Sequence, residues 1–244
     1  MRVVVTGHLG YIGPVVVSTL QGAGHDVTGL DSGLFASCAL EPDPPVPTID
    51  RDLRDVSVAD LRGFDAVIHL AALSNDPLGF LDPALTREIN VDATIRLATL
   101  AREAGVQRFL FSSSCSVYGA TADTWVDETT PAQPVTPYGV AKAEAEQGLA
   151  QLAGPSFCVA SLRNATAFGY SPRLRTDLVV NDLVAGAYLH GEISLRSDGS
   201  AWRPLVHVQD IARAFTVALS APAEAINGTV VNVGADRQNY TVRE

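Results

Sequence analysis

At 244 residues, 47% hydrophobic and 18% charged, the chain has enough apolar sequence for one large or two small globular domains, which excludes a disordered chain. A net charge of -10 and a sequence pI near 4.9 exclude a broad basic face for nucleic acid or an acidic membrane surface, so an anionic ligand has to be met by local arginines. Cys38, Cys115 and Cys158 are odd in number and irregularly spaced, and no apolar run approaches the roughly 20 residues of a membrane span. The N-terminus "MRVVVTG" enters a strand at once, so no signal peptide is expected there, and a reduced, cytoplasmic setting is expected.

Taken in chain order, short β-branched runs alternate with helical patterns. "RVVVTG" leads into "YIGPVVVSTLQGAG", and "DVTGLD" follows. Between Asp31 and Asp52 lies "SGLFASCALEPDPPVPTIDR", whose proline and glycine content predicts a surface connection without regular structure. "DAVIHLAA" precedes the helical "PALTREINVDATIRLATLAREAG". "RFLFSSS" precedes a helix opening at Thr136 and Pro137, and "FCVASLRNA" closes the alternation. Strands that are apolar throughout and separated by helices predict an α/β fold, a doubly wound parallel sheet covered on both faces. After about residue 167 the alternation weakens, so the expected organisation is a dinucleotide-binding domain over 1–166 and a smaller substrate-side region over 167–244, with some segments returning to the sheet.

The turn "VTGHLGYIG" sets Gly7, Gly10 and Gly13 between the first strand and the first helix. Glycines there allow a tight turn and close approach of the backbone to a pyrophosphate, whose charge sits at the helix N-terminus. Asp31 ends the second strand, where a carboxylate accepts from both hydroxyls of an adenine ribose and repels a 2′-phosphate. NAD is therefore expected over NADP.

Lys142 is the only lysine; the other basic residues are arginines. A lysine is a compact point charge that a planar, permanently charged arginine does not replace in a reacting site. Thr136 and Pro137 read as N-cap and first helical position, which places Tyr138 and Lys142 one turn apart on the same helix face. A cation held beside a phenol lowers its pKa from ~10 toward working pH, so Tyr138 is a candidate proton shuttle.

Together with "GHLGYIG" and "YGVAK", the segments "RDLRD", "HLAA", "EINVDAT", "SSSCSVYG" and "WRPLVHVQDIARAF" resemble the extended short-chain dehydrogenase/reductases, in particular the NAD-dependent nucleotide-sugar epimerase/dehydratase family of the UDP-glucose 4-epimerase-like kind. The resemblance implies a Rossmann fold with a C-terminal substrate-binding region. It implies cofactor contacts from Gly7, Gly10, Tyr11, Ile12, Gly13, Asp31, Asp52, Leu53, Leu70, Ala71, Ala72 and Asn90. Ser114 matches the hydroxyl that hydrogen-bonds the reacting sugar oxygen, Tyr138 the acid/base, and Lys142 the residue that binds the nicotinamide ribose and biases Tyr138 toward its ionised form. Arg203 matches the arginine that grips the diphosphate, a role suited to its bidentate fork. Arg173 and Arg175 are either candidates for the same anion or ordinary surface arginines. Relatives dimerise through the Tyr138 helix and the one before it, which implies a homodimer.

The implied activity is a nucleotide-sugar epimerase acting at C4 through a transient 4-keto sugar. The alternatives are a 4,6- or 5,6-dehydratase, a 4-ketoreductase and a non-catalytic NAD-binding sensor. Where dTDP-glucose 4,6-dehydratases carry Thr-Asp-Glu, this chain has Ser114-Cys115-Ser116, so the carboxylate pair that eliminates water is missing and epimerisation is favoured. Cys115 is either a base in other family chemistries or a small buried apolar residue. Ser74, Asn75 and Asp76 follow "HLAAL" where many 4-epimerases have a lysine, and together with Thr166 they are candidate substrate contacts. Asn164 is displaced from the place of a substrate-binding asparagine. His69 and His207 read as structural, and no histidine and carboxylate spacing suggests a metal. The end, "VVNVGADRQNYTVRE", resembles a strand and turn after which relatives continue through further helices, so an apparently truncated substrate region is expected.

Overall fold

Strand β1 (Arg2–Thr6) carries three consecutive valines, and all three are fully buried. Side chains alternate faces along a strand. Val3 and Val5 therefore enter one hydrophobic cluster with Val16, Leu20, Ile211 and Phe215, while Val4 enters a second with Leu97, Ala101, Ala145 and Leu149. A strand that needs apolar partners on both faces requires a sheet with helices on both sides, and each such buried side chain contributes about 1.5–3 kcal/mol.

The computed structural model describes residues 1–42, 44–74, 76–120 and 125–244, without the side chains of 76–78. After β1 come α1 (Gly13–Gly22), β2 (Asp26–Asp31), β3 (Thr48–Asp50), α2 (Val58–Leu61), β4 (Ala66–His69), α3 (Asp76–Leu81), α4 (Pro83–Arg87), α5 (Ala93–Glu103), β5 (Arg108–Ser114) and α6 (Pro137–Ala150). They are followed by β6 (Cys158–Asn164), β7 (Thr166–Phe168), α7 (Val179–His190), β8 (Trp202–His207), α8 (Val208–Ser220), α9 (Ala223–Ile226), β9 (Thr229–Val233) and β10 (Asn239–Thr241). Seven parallel strands form the main sheet in the order β3-β2-β1-β4-β5-β6-β9, and β10-β8-β7 form a small second sheet. The order reverses between β1 and β4, and in open α/β sheets ligands bind in the crevice beyond the strand ends at that switch point.

The doubly wound sheet expected from the sequence is present, with local differences. Within the proline-rich stretch, Thr48–Asp50 forms β3 in parallel register with Gly29–Asp31, so that stretch is not wholly irregular. Three residues after Pro47 suffice because the exposed edge of β2 offers unpaired backbone groups. The helical stretch after Pro83 is interrupted at Glu88–Asp92 by a π turn, which carries Asn90. Late in the chain, β9 returns to the main sheet and pairs with β6.

Candidate functional site

At the switch point Gly7 has φ +70°, and a Cβ there would sit 2.6 Å from the backbone nitrogen of Ala71. Only glycine lets the loop after β1 and the loop after β4 approach this closely. A Cβ on Gly13 would run into the His8 backbone. No side chain caps the N-terminus of α1, so its first amides are left for an anion. Asp31 accepts from the Leu9 amide (3.1 Å) and the Gly33 amide (3.0 Å), which locks the carboxylate beside the turn. A bare glycine cradle, an open helix start and a carboxylate at the end of β2 fit a dinucleotide.

The remaining residues expected at the cofactor take distinct places. Ile12 packs against the core that contains α1, and Leu53 is buried in the opposite core. Asp52 is bound to Arg54, whose hydrogen bonds hold the carboxyl below its usual range. Asn90 accepts from the Leu73 amide (2.8 Å) and donates to the Leu73 carbonyl (2.9 Å), bracing the loop that carries Leu70, Ala71 and Ala72. Tyr11 donates to the Gly169 carbonyl (2.7 Å) and accepts from Asn181 (3.2 Å). Burial pushes its phenol up, against Asn181 and Arg175.

Helix α6 starts where the sequence places it, because the Thr136 hydroxyl accepts from the Gly139 amide at 3.1 Å and Pro137 opens the first turn. Gly139 lies so near the turn after β5 that a Cβ would meet the Ser116 carbonyl at 2.7 Å. One turn on, Lys142 is 2% exposed. Its Nζ donates to the Ser112 carbonyl (2.7 Å) and lies 4.5 Å from the Phe111 ring centre and 5.6 Å from that of Tyr138. Burial pushes the ammonium down to about 7, against the attraction of Glu146. Ser114, the last residue of β5, accepts from the Ser116 amide and donates to the Ser116 hydroxyl, both at 3.1 Å. Burial also raises the Cys115 thiol, although Ser114, Arg203 and Thr166 pull the other way. Ser114, Thr166 and Arg203 thus all act on Cys115 at the end of β5.

Arg203 is exposed on β8 and donates to the Trp202 carbonyl at 2.8 Å. Arg175 meets Ser74, donating to its hydroxyl (3.1 Å) and carbonyl (3.2 Å), while pairing with Asp177 at 2.6 Å. Arg173 lies over the Phe35 ring, 5.0 Å from its centre, beside the loop after Asp31. Asn164 donates to the Ser112 hydroxyl at 3.0 Å. Asn75 and the side chain of Asp76 lie outside the described residues.

His69 is fully buried between Thr6 (2.7 Å) and Thr94 (2.9 Å), and burial first, then the Lys142 charge, push its pKa down to about 3. His207 accepts from the Gln209 amide and caps α8. Among the described residues no group of three His, Cys, Asp or Glu could hold a metal, and no helix is long and apolar enough to cross a membrane.

Sequence reasoning missed a buried pair behind Lys142. Arg163 on β6 donates to Glu146 on α6 at 2.7 Å and to the Tyr118 hydroxyl at 3.0 Å. The available signal was a glutamate four residues after the only lysine, where the two share a helix face.

Known proteins resemble this chain in sequence and fold. The profile of the "NAD dependent epimerase/dehydratase family" matches residues 3–234. A UDP-glucose 4-epimerase of Mycolicibacterium smegmatis is 32% identical over 255 residues, covering 99% of this chain and 79% of the relative. Among solved structures, MoeE5 in complex with UDP-glucuronic acid and NAD is 32% identical with a TM-score of 0.86, covering 100% of this chain and 79% of that one. TunA, an NAD dependent-NDP-hexosamine 5,6-dehydratase of tunicamycin biosynthesis, is 26% identical with a TM-score of 0.88, covering 99% and 78%. On the profile match and these likenesses, the chain belongs to the NAD-dependent epimerase/dehydratase family of nucleotide-sugar enzymes, an extended short-chain dehydrogenase/reductase family with NAD as cofactor.

Proposed function

We propose that the chain is a nucleotide-sugar epimerase acting at C4 through a transient 4-keto sugar. The observation that carries this reading is the grouping of Tyr138 and Lys142 on one face of α6 with Ser114 at the end of β5, next to a turn whose following residues, Cys115 and Ser116, bring no carboxylate. Tyr138 takes the proton of the C4 hydroxyl, and the Lys142 ammonium favours the phenolate that does so. Ser114 donates a hydrogen bond to the reacting oxygen. Gly7, Gly10, Gly13 and Asp31 would hold NAD, with Tyr11, Ile12, Asp52, Leu53, Leu70, Ala71, Ala72 and Asn90 around it. When bound, NAD supplies a hydride acceptor and donor for the substrate carbon. Arg203 binds the diphosphate, with Ser74, Thr166, Arg173 and Arg175 as further contacts to the substrate.

Cys115 favours epimerisation over elimination. A thiol held protonated by burial is a poor base at neutral pH. A dehydratase using the Cys115 thiolate is the second reading, supported by the likeness to TunA. A homodimer is supported by an open groove of about 450 Å³ on α6, lined by Phe80, Val135 and Val140, all exposed.

The test is chromatography with mass detection after the protein and NAD are incubated with UDP-glucose, UDP-N-acetylglucosamine and UDP-glucuronic acid. A new peak of unchanged mass is expected. A product lighter by one water transfers the assignment to a dehydratase.

A further inference from the structure

We propose that the buried Glu146–Arg163 pair is a positioning device for the Tyr138–Lys142 couple: from the same face of α6 Glu146 sets a carboxylate behind Lys142 and, through Ser113, steadies the strand end that presents Ser114. This rests on the epimerase reading only for the role of Tyr138 in turnover, because the electrostatic part is measurable without substrate.

The geometry comes from three elements. On α6, Tyr138, Lys142 and Glu146 succeed one another at intervals of four residues and share one face. From β6, Arg163 sends two guanidinium nitrogens to the Glu146 carboxylate, at 3.0 Å from Nε to Oε1 and 2.7 Å from Nη2 to Oε2. From β5, the Ser113 hydroxyl donates to Glu146 Oε1. Glu146 and Arg163 are each 7% exposed, so water screens the carboxylate little. The Arg163 guanidinium is anchored in turn by Tyr118, whose hydroxyl donates to Asn232 on β9 at 2.7 Å.

A buried ion pair is weak evidence for stability, since apolar replacements are often neutral or better. Its position is more informative. Lys142 is buried among the Phe111 ring, the Ser112 carbonyl and the Tyr138 ring, none of which carries a full negative charge while the phenol is protonated. From β4, His69 faces it as a neutral imidazole. The 88–92 stretch packed on α6 turns its carboxylates elsewhere, Glu88 to Arg54 and Asp92 to Arg87. Among the described residues Glu146 is the carboxylate that opposes the desolvation of Lys142, and Arg163 keeps that carboxylate buried and pointed. Glu146 does not touch the reacting atoms. It acts through Lys142 on the charge of Tyr138 and through Ser113 on the neighbour of Ser114.

The experiment is a spectrophotometric titration of the Tyr138 phenolate in the NAD-loaded protein, taken as the difference from Tyr138→Phe, in wild type, Glu146→Gln and Glu146→Asp. Glu146→Gln is expected to weaken Tyr138 acidity about tenfold or more, one pKa unit being a tenfold change. Turnover at neutral pH should fall by about the same factor with little change in KM, because a more weakly acidic phenol leaves less base at that pH. Glu146→Asp, which keeps the charge, should restore most of the acidity. If Glu146→Gln does not fold, the double variant Glu146→Met, Arg163→Met removes both members of the pair, so that neither is left behind as an unpaired buried charge, and should also titrate above wild type. A Tyr138 titration unchanged in Glu146→Gln, or in the double variant, overturns the proposal. Failure of every nucleotide sugar to react in wild type overturns the epimerase reading and leaves the titration result standing.

Discussion

Lys142 reaches from α6 to donate to the Ser112 carbonyl at 2.7 Å, two positions before Ser114 on β5. One side chain therefore ties the helix that carries Tyr138 to the strand that carries Ser114, and it does so as a nearly inaccessible cation.

Replacing it separates activity from stability. Lys142→Met is expected to lower turnover by about 10²–10⁴-fold, the usual scale for losing acid–base function. Lys142→Arg should not rescue it, because a planar fork does not fill the place of an ammonium packed on Phe111. In the folded protein the ammonium is pushed down to about 7 from an ordinary 10.5. Between those values the unfolded chain holds more protons than the native one, so wild-type stability rises with pH across that window relative to Lys142→Met. Urea midpoints of both proteins near the two ends of the window check the slope.

Asp31 is the carboxylate proposed to read the adenine ribose, and it also holds the Leu9 and Gly33 amides. Asp31→Ala is expected to weaken NAD binding by about 10–100-fold, the worth of hydrogen bonds to a charged group. It should weaken NADP binding much less, since the repelled 2′-phosphate loses its opponent. Calorimetric titration with both dinucleotides measures the ratio. An unchanged preference would remove Asp31 from the cofactor site.

His69 gives an acid-side prediction. Its folded pKa, about 3, lies below the ordinary 6.5, so the unfolded chain gains a proton that the native protein refuses. The stabilisation is complete above about 6.5 and is lost progressively as pH falls toward 3. His69→Gln keeps a hydrogen-bonding side chain between Thr6 and Thr94 without titrating there. Its thermal midpoint should fall less steeply with acidification than that of wild type. Parallel curves would argue against the neutral, buried imidazole.

Much of the site was legible before folding, because its signals are local. Three glycines in one turn, a capping threonine followed by proline, and Tyr138 four residues before the only lysine are patterns in which backbone conformation depends on adjacent residues. Other parts depend on residues far apart. Thr48–Asp50 has little strand character alone and becomes a strand because the edge of β2 accepts it. Tyr11 meets Gly169 and Asn181 only once the region after β7 folds back over the glycine turn.

The sequence by itself determined the alternation of strands and helices, the glycine turn after β1 and the Tyr138–Lys142 face, since each follows from periodicity or from contacts within a turn. Only the tertiary structure decided that Arg163 closes on Glu146 behind Lys142, that Ser74 meets Arg175, and that Cys115 sits with Thr166 and Arg203. Those partners lie on different strands, helices and loops, and which of many arginines and carboxylates pair is settled when the packed sheet brings them within hydrogen-bond distance and removes the water that would otherwise satisfy them.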